Sequence, residues 1–102
     1  MYSVVNRLRL KNPIPAAVWG EPAEEVLAQM RQVEGFHSLQ VVGISSDEVV
    51  LIITADTAER LDQIATDIGS PWMVEYVVPH LAEPPSRQLG EVLMAGSASA
   101  LG

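Results

Sequence analysis

Hydrophobic and polar positions along this chain switch between two periods, and the switches mark its elements. Tyr2, Val4, Asn6, Leu8 and Leu10 alternate with Ser3, Val5, Arg7, Arg9 and Lys11, which predicts a strand over 2–11. Asn12-Pro13-Ile14-Pro15 ends it, and an irregular stretch with Trp19 and Gly20 comes next. Pro22 suits the first turn of a helix, whose apolar stripe is Val26, Leu27, Met30 and Val33. Gly35 is the expected stop. Two β-rich runs, 36–45 and 48–55, flank Ser45-Ser46-Asp47 and predict a hairpin. Asp56, with Glu59 three residues on, predicts a capped helix carrying Leu61, Ile64, Ala65 and Ile68 and closed by Gly69. Ser70-Pro71 predicts a second short helix bearing Trp72, Met73, Tyr76 and Val77, ended near Pro79. After Pro84-Pro85, residues 87–95 predict a last strand.

The order β-α-β-β-α-(α)-β is that of an α+β, ferredoxin-like βαββαβ fold: a four-stranded antiparallel sheet with helices on one face. Residues 1–95 are expected to form one domain and 96–102 a flexible C-terminal tail. The third predicted strand breaks the usual one-sided pattern. Val49, Leu51 and Ile53 point one way, and Val50 and Ile52 the other, so both faces of its middle are apolar. One face meets the helices. The other calls for a partner, and a second copy packed sheet to sheet is the simplest one.

Composition sharpens this and removes alternatives. Of 102 residues, 48% are hydrophobic, and the seven glycines lift the apolar share above the roughly 45–50% of ordinary domains. So small a chain buries only about two thirds of its unfolded surface, and the surplus suggests an interface or a ligand cavity. The absence of cysteine excludes disulfides, thiolate metal sites and cysteine nucleophiles. A net charge of −7 argues against nucleic acid as a partner. The longest apolar run, 49–53, is far too short for a membrane span, and the N-terminus lacks a secretory apolar block. A cytoplasmic protein with no membrane partner is the expectation.

Candidate chemistry is sparse. Asn6 interrupts an otherwise apolar strand face; it either donates into a cavity between sheet and helices or is satisfied by neighbouring backbone. Trp72 and Tyr76, four residues apart, share a helix face and either wall a pocket for a flat ligand or plug the core. His80 is an iron ligand, a general base or a surface residue after a proline. Arg87 could anchor an anionic group, and Trp19 could cover a pocket mouth. Arg7, Arg9 and Lys11 lie on the face opposite Asn6 and suit ion pairs. His37 reads as a surface or interface residue. Neither histidine stands at a metal-ligand spacing, and no phosphate loop, nucleophile elbow or carboxylate pair occurs.

Three segments resemble a known family. The element order and length resemble the dimeric α/β-barrel superfamily, which includes antibiotic-biosynthesis-type monooxygenases, and within it Asn6-Arg7-Leu8-Arg9-Leu10, Glu34-Gly35-Phe36 and Asp47-Glu48-Val49 are similar to strand segments of Isd-type haem-degrading monooxygenases. The nearest look is to the Isd-type haem-degrading enzymes. The resemblance implies a homodimer joined through the sheet face, and oxygen chemistry on haem as substrate or on a small flat aromatic molecule. No cofactor is required for the latter. It also implies that Asn6 hydrogen-bonds toward the reacting oxygen. Where the family places a haem-distorting Trp, this chain has Ile64; near its axial His stand Tyr76 and His80. The rival expectation is a non-catalytic small-molecule-binding or structural dimer on the same fold.

Overall fold

The computed structural model describes residues 1–96. The elements, in chain order, are β1 (Tyr2–Arg9), α1 (Glu21–Arg31), β2 (Phe36–Ser45), β3 (Glu48–Ala55), α2 (Ala58–Ile64), α3 (Ser70–Tyr76) and β4 (Ser86–Glu91). A 3₁₀ turn, Ala16–Trp19, precedes α1, and a π-helical turn, Ala65–Gly69, joins α2 to α3. The sheet order is β2-β3-β1-β4, antiparallel throughout, as a ferredoxin-like βαββαβ topology requires. The tail expected over 96–102 lies, apart from Gly96, outside the described residues.

The alternation read from the sequence places each strand face. Val4 and Leu8 of β1 and Val49, Leu51, Ile53 and Ala55 of β3 are buried toward the helices. Leu61 and Ile64 of α2, Met30 of α1 and Val77 close over them. Each of these side chains larger than alanine contributes about 1.5–3 kcal/mol by leaving water. The opposite sheet face holds Val5, Val50 and Ile52, all half-buried, beside Val42, which is exposed. Ser3 and Thr54 share a 2.6 Å hydroxyl hydrogen bond there. Arg7 pairs with Glu48 at 3.1 Å. Arg9 stands 4.0 Å from Asp47 and 3.9 Å from Glu83.

Several boundaries differ from the sequence reading, each for a local reason. β1 ends at Arg9; beyond it the Leu10 amide donates to the Asp47 carbonyl, Leu10 makes an isolated bridge to Leu81, and the Lys11 amide donates to the His80 carbonyl. β4 stops at Glu91 because its partner runs out: Glu91 lies opposite Tyr2, and one further bond, Val92 amide to Met1 carbonyl, is all that β1 can offer. Leu93 and Met94 are therefore exposed, not strand residues. Thr57, not Asp56, caps α2, its Oγ1 accepting from the Arg60 amide at 3.1 Å. Asp56 instead pairs with His37 across the start of β2. α1 ends at Arg31, and Gly35, at φ +90°, makes the turn into β2; a Cβ there would meet Asp56 Oδ2 at 3.4 Å.

Gly69 does not close α2. Its φ of −68° is helical, and the chain runs on through it into α3. The adjustment is made by the π turn instead. Pro71 has no N–H to give to the preceding turn, and widening to i→i+5 bonding just before it accommodates that loss without ending the helix. Space does not require a glycine here either: a Cβ on Gly69 would lie 3.7 Å from Met30 Cε and 3.8 Å from Ile53 Cδ1, ordinary contact distances. Among the described residues no helix is long and apolar enough to cross a membrane.

Candidate functional site: a cavity between sheet and helices

The π turn and α3 stand off the sheet where α2 packs onto it, and the gap is a cavity of about 360 Å³. Leu39 and Val41 of β2, Leu51 and Ile53 of β3 and Asn6 of β1 form its floor. Val26 and Met30 of α1, Ala65, Thr66 and Gly69 of the π turn, and Trp72 and Met73 of α3 roof it. Trp19 closes one side; Pro85 and Arg87, leading into β4, form another. A partly open, mainly apolar hollow with a few polar groups is the general form of a small-molecule site.

Asn6 is the one amide side chain of the floor. It stands between Leu51 on β3 and Arg87 on β4 in the strand register. Register alone puts these side chains on one face, and that face is the cavity's. Among the described residues the Asn6 amide makes no side-chain hydrogen bond, and no buried side-chain polar atom is left unsatisfied. Its donor and acceptor therefore face the hollow, free for a ligand or solvent.

The aromatic wall is a row of three rings. Trp72 lies 6.1 Å from Trp19 and 5.5 Å from Tyr76, centroid to centroid, tilted by 43° and 42°. The Trp72 Nε1–H donates to the Pro22 carbonyl at 2.9 Å, which locks the indole between α3 and the start of α1. Trp72 lines the cavity, and Tyr76 braces it from behind, outside the cavity wall. Trp19 is a wall residue, in keeping with its place in the irregular segment.

Two sequence candidates stand elsewhere. Ile64 is fully buried in the core, because it falls in the last regular turn of α2, before the π turn swings the chain off the sheet. His80 sits in a 3₁₀ turn after α3, its Nδ1 2.7 Å from Asn12 Oδ1, tying that turn to the segment after β1 and away from the cavity. Among the described residues no imidazole, carboxylate or phenol lines the cavity, and no cluster of metal-ligating side chains occurs. Haem iron would thus find no imidazole in this wall. Arg87 does reach the cavity, and its Nη2 lies 3.6 Å from Asp62 Oδ1 on α2. Thr66 and Ser70 add two hydroxyl-bearing residues that sequence reasoning misses. The usable signal is Pro71, which inside one continuous helix demands a distortion directly before it.

No family model matches the sequence, and no curated protein does. Solved structures do. Rv0793 from Mycobacterium tuberculosis matches with a TM-score of 0.64 at 22% identity, over 94% of this chain and 98% of that one. An antibiotic biosynthesis monooxygenase gives 0.66 at 16%, over 92% and 100%. SnoaB from Streptomyces nogalater, a cofactor-independent oxygenase, gives 0.68 at 11%, over 92% and 94%. These likenesses extend over nearly the whole chain and concern its fold; they lend the haem-degrading subfamily no support. The chain has the ferredoxin-like fold of these solved structures, an antibiotic biosynthesis monooxygenase and SnoaB among them.

Proposed function

We propose that this protein binds a flat aromatic small molecule in the cavity between sheet and helices and oxygenates it with dioxygen, without a bound cofactor. The observation that carries the reading is the unspent amide of Asn6 in the floor of a hollow otherwise walled by aliphatic, thioether and indole groups. Shape holds the ring between Trp72, Trp19 and the sheet; Asn6 orients an oxygen of the ligand or of dioxygen. The reaction is balanced by its reactants alone. A hydroxyarene with a free para C–H gives four electrons to dioxygen, one oxygen atom becoming the new quinone carbonyl and the other leaving as water. An electron-rich ring supplies the reducing power itself, so the chain need only position and desolvate it. SnoaB, on the same fold, is a cofactor-independent oxygenase.

Two copies are proposed to pack through the open sheet face, where Val5, Val50, Ile52 and Val42 form an apolar stripe that one chain alone leaves half-covered. A second reading, binding without turnover, is favoured by one feature: the described cavity wall has no acid–base residue. An oxygen electrode separates the two. With 1-naphthol the first reading predicts oxygen uptake matched one-to-one by 1,4-naphthoquinone, reduced at least tenfold in Asn6→Ala. Saturable binding with no oxygen uptake leaves the binding protein.

A further inference from the structure

The chain carries thirteen acidic side chains against six basic ones, yet the distribution inside the cavity is reversed. Among the described lining residues there is no aspartate or glutamate, and the only ionised group is Arg87. The other strand arginines are engaged on the opposite sheet face, Arg7 with Glu48 and Arg9 near Asp47 and Glu83. Arg87 differs in its place: it lies on the cavity face, and its ion pair, like those of Arg9, is no hydrogen bond. Its Nη2 stands 3.6 Å from Asp62 Oδ1, beyond hydrogen-bond reach, and the Asp62 side chain is 68% exposed. The five guanidinium donors thus remain unspent within the described chain, directly across the strand pair from the unspent amide of Asn6. A fork of N–H donors beside an amide, at the edge of an apolar slot, matches a carboxylate oxygen pair.

Resting on the aromatic-ligand reading above, we infer that the cavity selects an anionic aromatic, a ring system bearing a carboxylate, with the carboxylate on Arg87 and Asn6 and the ring against Trp72. Asp62 is the resident counter-charge that the ligand's carboxylate displaces. The net negative charge repels anions at long range, and the cation at the edge of an acid-free cavity offsets this locally, which favours the charged member of a matched pair. Because the pair with Asp62 is exposed and outside hydrogen-bond distance, its rupture on binding costs little.

Both tryptophans line the cavity, so their fluorescence reports occupancy directly. The probes are 2-naphthoate and its neutral near-isostere 2-naphthalenemethanol. The expected result is saturable quenching by both, with the carboxylate bound at least tenfold more tightly at low salt. Arg87→Gln abolishes that preference while keeping the affinity for the alcohol, and Arg87→Lys retains part of it. Asp62→Asn raises affinity for the carboxylate about two- to five-fold, the weight of an exposed ion pair, and leaves the alcohol unchanged. Equal binding of the two probes, or a preference that survives in Arg87→Gln, overturns the inference while leaving an aromatic site standing. Quenching by neither probe overturns both. Weaker carboxylate binding in Asp62→Asn overturns the role given to Asp62. Arg87 is exposed on an edge strand, and an unchanged circular dichroism spectrum of each variant excludes misfolding as the cause.

Discussion

The two halves of the long helical run after β3 behave differently. α2 is regular: Leu61 and Ile64, three residues apart, both reach zero exposure against Val4, Leu8 and Ile53. The half beyond it, through the π turn and α3, buries no large side chain fully and roofs a cavity instead. One extra residue in the π turn rotates α3 by about 100° relative to α2, so the two apolar stripes do not line up. Regular periodicity closes a core; a single slip in it opens a site. The polar group of that site, Asn6, lies on the strand between Val4 and Leu8, the two best-buried residues of β1, so the floor is rigid where the roof is irregular.

Substitutions in the two halves should therefore separate stability from binding. The largest effect on stability belongs to Leu61→Ala, expected to cost about 2–5 kcal/mol in urea unfolding with 2-naphthoate quenching unchanged below the transition. Trp72→Ala is next: it removes the middle ring and the bond to the Pro22 carbonyl, costing about 1–3 kcal/mol and at least tenfold in ligand affinity. Asn6→Leu sharpens the contrast by inverting it. It places an apolar side chain among apolar neighbours, so stability holds or rises by about 1 kcal/mol while oxygen uptake is lost. Gly69→Ala should stabilise by about 0.5–1 kcal/mol, since φ is already helical and the added Cβ meets only ordinary contacts near 3.7 Å. Smallest is Arg7→Gln, below about 1 kcal/mol, because Arg7 is 68% exposed in its pair with Glu48. If Leu61→Ala and Trp72→Ala changed stability and affinity in the same proportion, the two halves would be one cooperative core and the contrast would fail.

Legibility in the sequence divides along the same line. Both strands of the hairpin have the bounds the sequence predicts, because two β-rich runs flank a short turn; the two register shifts between them, at Phe36/Ser38 and Gly43/Ser45, are not legible. The helix-facing side of β1, and Asn6 as the break in it, are legible for the same reason. The ends of β1 and β4 are not, since a strand stops where its neighbour stops, which is a property of the pair. Gly69 and Pro71 look like punctuation between two helices in the sequence. In the folded chain both lie within one continuous helical run, Gly69 at a helical φ and Pro71 absorbed by the π turn before it. His80 carries a plausible chemistry in sequence, but its place in the 3₁₀ turn commits it to Asn12. Counting along the helix of a similar family points to Ile64, one residue before Ala65, where the helical run begins to line the cavity.

The central claim is that a ligand occupies this cavity and engages Asn6, and a ¹⁵N–¹H correlation titration with 1-hydroxy-2-naphthoate tests it most directly. The account predicts saturable, concerted shifts of the Asn6 side-chain NH₂ pair and both indole N–H signals, with Val50 and Ile52 on the opposite sheet face unmoved. Shifts confined to Val50, Ile52 and their neighbours, with the Asn6 and indole signals unchanged, would contradict it.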